Sequence, residues 1–258
     1  MVRKPSMHEH RDHAVWRGRR VDWTTYDTDI DPGVTDLIVP GIMAKQTVYE
    51  PLAEEMQALG HRVVTMSHES GSMMCAYEIR DLASTLADKY QQPVRLEPHS
   101  LGAIHAAEAI DDDSSDISGV TFIQPAGFTG VHPMYAYKSV QLKQWFTRDR
   151  YRHGMQIGRD SVEYAFKGRR ELPRTVLKAS TKSVIREVQG LPDHIIKLAI
   201  LFESDPLIRC REVSQGLAEA GVKAVMLDIP TATHNAQYEY AHETAALLHS
   251  LYTDLEAA

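Results

Sequence analysis

The stretch RLEPHSLGAIHAAEAI, residues 95–110, places a serine between a short strand-like run and a helical pattern. A tight turn here would lift the Ser100 hydroxyl out of the sheet and aim the first N–H groups of the helix at the atom it attacks. Such a turn needs small residues, which Gly102 and Ala103 supply. Pro98 has no N–H, so we expect the strand to end without a ladder hydrogen bond there. From this stretch alone, two interpretations of Ser100 stay open, a nucleophile and a helix N-cap.

Short apolar runs alternate with helical patterns on both sides of this turn. Strands are predicted as a pair around Gly18 and at residues 36–41, 61–67, 93–98, 119–125, 194–204 and 222–230. Helices are predicted at residues 47–60, 76–90, 101–110, 211–220 and 237–255. This alternation indicates an α/β fold with a mostly parallel sheet covered by helices on both faces. In such sheets the functional residues gather at the carboxyl ends of the strands.

Two polar residues follow later strands at the positions where partners of Ser100 would be needed. A serine hydroxyl is a poor nucleophile unless a base removes its proton, and the base needs an orienting acid. His234 follows the last predicted strand, and Asp205 ends the preceding one, where Pro206 breaks the strand. A surface histidine and a turn aspartate are the alternative interpretations. Glu203 is the competing carboxylate, but it lies within the predicted strand.

With its serine, aspartate and histidine in this order, the chain from about residue 14 onward resembles the α/β-hydrolase fold family, in its esterase- and lipase-like branch. The resemblance implies that Ser100 is the nucleophile, His234 the base and Asp205 the acid of a catalytic triad. A serine at the turn sets the chain apart from the related epoxide hydrolases and haloalkane dehalogenases, which use an aspartate. No nucleotide, flavin or metal motif occurs in the sequence, and the implied chemistry needs no cofactor.

The resemblance also implies an oxyanion hole. The segment IVPGIMAKQTVYEPLAEEMQALGHRV, residues 38–63, is similar to the family's oxyanion loop, with Pro40 where the family has histidine. By this similarity the backbone N–H of Ile42, or alternatively of Met43, would act together with that of Leu101. Two fixed donors aimed at a developing oxyanion lower the barrier by several kcal/mol, because one donor contributes roughly 2.7–4 kcal/mol.

The predicted organisation consists of a mobile leader (1–13), a core (14–125 and 194–258) and a helical cap (126–193). The leader histidines could chelate a metal, but no Cys or carboxylate cluster completes a site, so a polar leader is the preferred interpretation. These histidines are His8, His10 and His13. The cap would close over Ser100 and shape the substrate pocket. Its aromatic residues either line that pocket or pack within the cap: Trp145, Phe146, Tyr164 and Phe166.

Charge is distributed unevenly along the 258 residues. The chain carries a net charge of −7, yet residues 138–186 hold 13 Lys and Arg against 4 Asp and Glu. This segment would steer anionic substrates, or it is a solvated face that pairs with the acidic remainder. The overall charge and the absence of a groove-reading motif argue against nucleic-acid binding. No apolar run is long enough to span a bilayer.

Cysteine usage bears on the compartment. Only Cys75 and Cys210 are present, which makes a disulfide framework unexpected and favours the reducing cytoplasm. We interpret both as structural or free thiols.

The sequence therefore predicts a serine hydrolase that cleaves a carboxylic ester through an acyl-enzyme. A thioesterase or lipase would use the same residues on an anionic acyl substrate. An alternative of a different class is a ligand-binding protein that keeps the fold without turnover, and Pro98 is the residue that motivates it.

Overall fold

The computed structural model describes residues 8–41, 46–68, 75–110, 114–129, 183–205 and 208–256. Within these ranges eight strands form one sheet, in the order β1-β2-β4-β3-β5-β6-β7-β8. The strands are β1 His8–Trp16, β2 Arg19–Asp27, β3 Thr35–Val39, β4 Arg62–His68, β5 Val94–Pro98, β6 Ile117–Ile123, β7 Ile196–Phe202 and β8 Lys223–Leu227. β2 pairs antiparallel with β1 and β4, and all other pairs are parallel. The predicted mostly parallel sheet is confirmed.

Helices cover both faces of this sheet. They are α1 Glu50–Ala58, α2 Ala76–Tyr90, α3 Gly102–Ala109, α4 Ser183–Gln189, α5 Cys210–Glu219, α6 Ala236–Glu239 and α7 Ala241–Glu256, with a 3-10 turn at Gln46–Val48. On one face α1, α6 and α7 bury residues such as Leu52 and Leu248. On the other, α2 to α5 bury residues such as Leu82 and Ile104. Full burial of one such side chain stabilises the fold by about 1.5–3 kcal/mol, so each helix is held to the sheet by its apolar stripe.

The predicted leader overlaps strand β1. β1 pairs with β2 from His8 opposite Asp27 to Trp16 opposite Arg19, so residues 8–13 belong to the sheet rather than to a leader. The side chains of residues 8–13 are exposed. Backbone pairing with β2 holds this part of the edge strand, together with contacts such as that of Lys89 Nζ with Asp12 Oδ2 at 3.2 Å. Residues 1–7 lie outside the described residues.

Of the predicted cap, residues 130–182 lie outside the described residues, and with them the four aromatic candidates and nearly all of the basic segment. Both flanks of this interval belong to the core. Phe128 is fully buried, and Val184 on α4 packs in the same apolar cluster. A β-carbon added to Gly127 would lie 2.6 Å from Val184 Cγ2. The two flanks therefore meet side by side.

A buried charged cluster lies between the sheet and α7. On β5, Arg95 donates to Asp36 Oδ1 from Nε (2.8 Å) and from Nη2 (2.6 Å), and its guanidinium stacks on the Tyr252 ring. Two residues later, Glu97 Oε1 accepts a hydrogen bond from the Tyr252 hydroxyl at 2.9 Å. Among the described residues, the buried Glu97 Oε2 has no hydrogen-bond partner. Burial, followed by the charge of Asp36, raises the pKa of Glu97 to about 8, so this carboxyl is protonated at neutral pH.

Glu97→Gln is expected to stabilise the protein increasingly as pH rises. Between 4.5, the ordinary pKa of the group, and about 8, the unfolded chain loses the Glu97 proton while the folded chain keeps it. Stability therefore falls with rising pH through this window, and glutamine removes that loss. Urea denaturation should show a gain of a few kcal/mol near pH 8 and little gain near pH 5. Glu54→Gln, an exposed glutamate on α1, is the control. A gain independent of pH would contradict the argument.

In the part of the chain that the structure describes, no helix has both the length and the apolar character to cross a bilayer. The described residues also contain no group of three His, Cys, Asp or Glu side chains arranged to hold a metal ion.

Candidate active site

Ser100 occupies a sharp turn between β5 and α3. Its φ of +53° lies in the left-handed region, which is strained for a residue with a β-carbon and occurs where surrounding structure enforces it. Backbone hydrogen bonds provide that enforcement from both neighbouring strands. The His99 N–H donates to Val39 O on β3 at 3.0 Å, and the Ser100 N–H donates to Ile123 O on β6 at 3.1 Å. The turn is thus fixed in the middle of the sheet.

Pro98 interrupts the pairing of β5 with β6, as its missing N–H requires. The continuous register ends at Leu96 opposite Val120, and pairing resumes as a bridge between His99 and Ile123. The turn keeps its form across this gap because the residues after Pro98 bond to both neighbouring strands.

Gly102 provides the close approach expected from the sequence. A β-carbon added there would lie 2.7 Å from Pro40 O and 2.9 Å from Val39 O, which are backbone atoms that cannot swing aside. The first turn of α3 can therefore pack against the end of β3 only with glycine at this position.

The structure brings Ser100, His234 and Asp205 into one hydrogen-bonded chain. His234 Nε2 lies 2.7 Å from Ser100 Oγ, and His234 Nδ1 lies 2.7 Å from Asp205 Oδ2. Asp205 follows β7 and His234 follows β8, so the three residues come from the carboxyl ends of three parallel strands. Because the carboxylate accepts from Nδ1–H, Nε2 is the nitrogen left to accept the serine proton.

Glu203, the competing carboxylate of the sequence, lies outside this chain. Its side chain is 47% exposed, and its Oε1 lies 4.0 Å from Arg211 Nη2. The Asp205 side chain is fully buried beside His234. Of the two carboxylates, Asp205 is therefore the one that lies beside His234.

Gln124, which the sequence analysis did not single out, fixes the Asp205 carboxylate. Its side-chain Nε2 donates to Asp205 Oδ2 at 2.7 Å, and its Oε1 accepts from the Phe202 N–H at 3.0 Å. The Ile208 N–H donates to the second carboxylate oxygen at 3.2 Å. Gln124 itself has a φ of +45° and is fully buried. A polar residue ending the apolar strand β6 was the available signal.

Of the predicted oxyanion donors, the structure describes Leu101 but not Ile42 or Met43. Among the residues that the structure describes, the Leu101 N–H has no hydrogen-bond acceptor, although the residue is buried at the start of α3. An unpaired N–H beside Ser100 is available to an oxygen of a bound substrate. Ile42 and Met43 lie outside the described residues. Their neighbour Gly41 reaches the turn, since a β-carbon there would lie 3.0 Å from Ser100 Cβ.

Cys75 and Cys210 form no disulfide in the described part of the chain. Cys210 is buried at the start of α5, and its thiol donates to Phe202 O at 2.9 Å. Burial, followed by the negative charge of Asp205, raises its pKa to about 12. The Cys210 thiol therefore stays protonated beside the Asp205 loop and takes no charge there.

Three solved structures with similar folds are remote in sequence. A carboxyl esterase from Bacillus coagulans has a TM-score of 0.69 at 14% identity, over 96% of this chain and 99% of that one. An enol-lactonase from Burkholderia xenovorans has a TM-score of 0.65 at 14% identity, over 94% and 100%. A thioesterase domain from the curacin biosynthetic pathway has a TM-score of 0.63 at 14% identity, over 94% and 99%. No family model and no curated protein sequence matches the chain.

These similarities and the sheet topology identify the fold class of the protein. The protein has the α/β-hydrolase fold.

Proposed function

We propose that the protein is a serine hydrolase that cleaves carboxylic esters through an acyl-enzyme. One observation carries the proposal: the chain from Ser100 through His234 to Asp205, with both hydrogen bonds at 2.7 Å. A serine used only as a helix cap would not require a histidine at its hydroxyl, nor a buried carboxylate behind that histidine. The remote neighbours support the same reading, since they include a carboxyl esterase, an enol-lactonase and a thioesterase.

In the proposed mechanism, His234 Nε2 takes the proton of Ser100 while Oγ forms a bond to the substrate carbonyl carbon. The carbonyl electron pair moves to oxygen, and the Leu101 N–H stabilises that charge together with a donor at Ile42 or Met43. As the ester bond breaks, the imidazolium gives its proton to the leaving alkoxide. Water then loses a proton to His234, attacks the acyl carbon and releases the acid, and Ser100 regains its proton. Asp205 holds the His234 ring and stabilises its charged form.

The proposed substrates are small acyl esters, or thioesters handled by the same groups. The basic segment 138–186 favours those that carry a negative charge. Residues 130–182, the part of the predicted cap outside the described residues, are proposed as a lid over Ser100. The two cysteines, which form no disulfide, favour a cytoplasmic location. Nucleic acid is not a proposed partner.

The proposal is tested by hydrolysis of p-nitrophenyl esters from acetate to palmitate, combined with fluorophosphonate labelling. We expect turnover above background with an optimum chain length, and a phosphonylated peptide that maps to Ser100. Protein unfolded in urea is the labelling control, because it keeps the serine but loses His234 as its base. Background hydrolysis of every ester together with no labelling of the folded protein would favour the ligand-binding alternative.

A further inference from the structure

Two buried side chains behind Ser100 form a hydrogen-bonded line that the mechanism does not use. The Tyr49 hydroxyl, just before α1, accepts a hydrogen bond from the Gly41 N–H at 2.8 Å and lies 3.0 Å from His99 Nδ1. The other ring nitrogen, His99 Nε2, lies 2.9 Å from the backbone oxygen of His234. Tyr49 is 1% exposed and His99 3% exposed.

The groups at the two ends of the line fix the direction of its hydrogen bonds. The Gly41 N–H can only donate, and the His234 carbonyl can only accept. The Tyr49 hydroxyl therefore accepts from Gly41 and donates its one proton to His99 Nδ1, and His99 Nε2–H donates to the carbonyl. Each N–H and O–H proton in the line has an acceptor only if His99 is neutral, with its proton on Nε2. Burial, followed by the proximity of His234, lowers the pKa of His99 well below its ordinary value, which agrees with this assignment.

The line joins three chain segments that meet at the candidate active site. Gly41 ends the described part of the loop after β3 and directly precedes Ile42, a proposed oxyanion donor. His99 directly precedes the proposed nucleophile, and the far end of the line is the backbone of the proposed base. Neither Tyr49 nor His99 lies within hydrogen-bond distance of the Ser100 hydroxyl in the structure. Any influence on the reaction therefore acts through position.

We propose that Tyr49 and His99 are positioning residues that hold Gly41, at the end of the segment after β3, and the His234 backbone at a fixed separation from Ser100. This inference rests on the proposed function. Catalysis depends steeply on such separations, because a misplacement of about 1 Å costs on the order of 10²-fold in rate. Buried polar lines of this kind are rigid when every group is satisfied, and loss of one member leaves the others unpaired.

The first test is Tyr49→Phe, which removes the hydroxyl and keeps the ring. We expect kcat to fall by roughly 10- to 100-fold while KM stays within about twofold, since alignment rather than substrate contact is lost. Tyr252→Phe is the matched control. It also removes a fully buried hydroxyl with two contacts, but those contacts are Glu97 and Thr121, inside β5 and β6. Tyr252→Phe should cost comparable stability and leave kcat near that of the wild type.

A double-mutant cycle separates a shared line from two independent defects. His99→Gln retains an amide donor toward the His234 carbonyl but loses the imidazole acceptor for Tyr49. The double variant with Tyr49→Phe should therefore be no slower than the slower single variant. Multiplication of the two losses, or Tyr49→Phe with a kcat within about twofold of wild type, would overturn the inference.

A readout without turnover keeps this inference distinct from the proposed function. The His234 Nδ1 proton, bonded to Asp205, should give a low-field ¹H resonance that Tyr49→Phe shifts or broadens and Tyr252→Phe leaves in place. An inactive wild type with this pattern would refute the proposed hydrolase and keep the positioning role. An active wild type whose resonance and kcat are both unchanged by Tyr49→Phe would refute the positioning role and keep the proposed hydrolase.

Discussion

Ser100→Ala is expected to lower kcat for p-nitrophenyl esters by about 10⁴- to 10⁶-fold, to near the uncatalysed rate. Alanine removes the hydroxyl that would form the acyl-enzyme and leaves His234 without a serine proton to take. The backbone should persist, because alanine adopts the +53° φ of this position no less readily than serine does, and the hydrogen bonds that hold the turn are made by the main chain. Assays of p-nitrophenyl ester hydrolysis by the purified variant measure the change in kcat, and circular dichroism verifies that the variant is folded.

The control for this variant is Ser118→Ala. Ser118 is a half-buried serine on β6 whose hydroxyl bonds to Val94 O at 3.4 Å, away from the carboxyl ends of the strands. It should retain wild-type activity and fluorophosphonate labelling. If Ser100→Ala kept more than a few per cent of wild-type kcat, Ser100 would not be the nucleophile and the proposed mechanism would be wrong.

Asp205→Asn should produce the second largest loss, on the order of 10³- to 10⁴-fold in kcat. The two Asp205 oxygens receive hydrogen bonds from His234, Gln124 and the Ile208 N–H, and each of these three groups is a donor. An asparagine must turn its NH₂ toward one of these donors. Where it faces His234, the imidazole is held with its proton on Nε2, and this tautomer cannot accept the proton of Ser100.

Glu203→Gln is the matched control for Asp205→Asn. Glu203 lies two residues earlier on the same segment, and its carboxylate is half exposed and away from His234. Activity should be unchanged. An equal loss in both variants would indicate that charge near the site matters, rather than the orientation of His234.

The sequence alone could predict the sheet and the three clustered residues because their signals are local. The parallel strands are short apolar runs, and Ser100, Asp205 and His234 each lie in the turn or loop that follows such a run. Parallel strands carry their carboxyl ends to one edge, so local positions become a spatial cluster. The predicted start of the core at residue 14 missed residues 8–13 because an exposed edge strand shows no apolar alternation.

The supporting residues could not be predicted in the same way. Gln124 meets Asp205 across 81 positions of the chain, and Tyr49 meets His99 across 50. Neither Gln124 nor Tyr49 belongs to a motif that the sequence analysis singled out. Tyr49 also follows an apolar residue at the start of a helical pattern, where an ordinary core tyrosine would fit equally well. Only the packing of separate strand ends reveals what these side chains bond to.

Because Gly127 and Val184 lie against each other, the interval 130–182 between them can be exchanged as a unit. An insertion whose two ends touch can be replaced by a short linker at little entropic cost, because closing a loop depends only weakly on its length. In the proposed hydrolase, exchange of this interval between relatives would change what reaches Ser100 while the core keeps its fold. Selection could then act on substrate range and on chemistry as separate traits, each encoded in its own part of the chain.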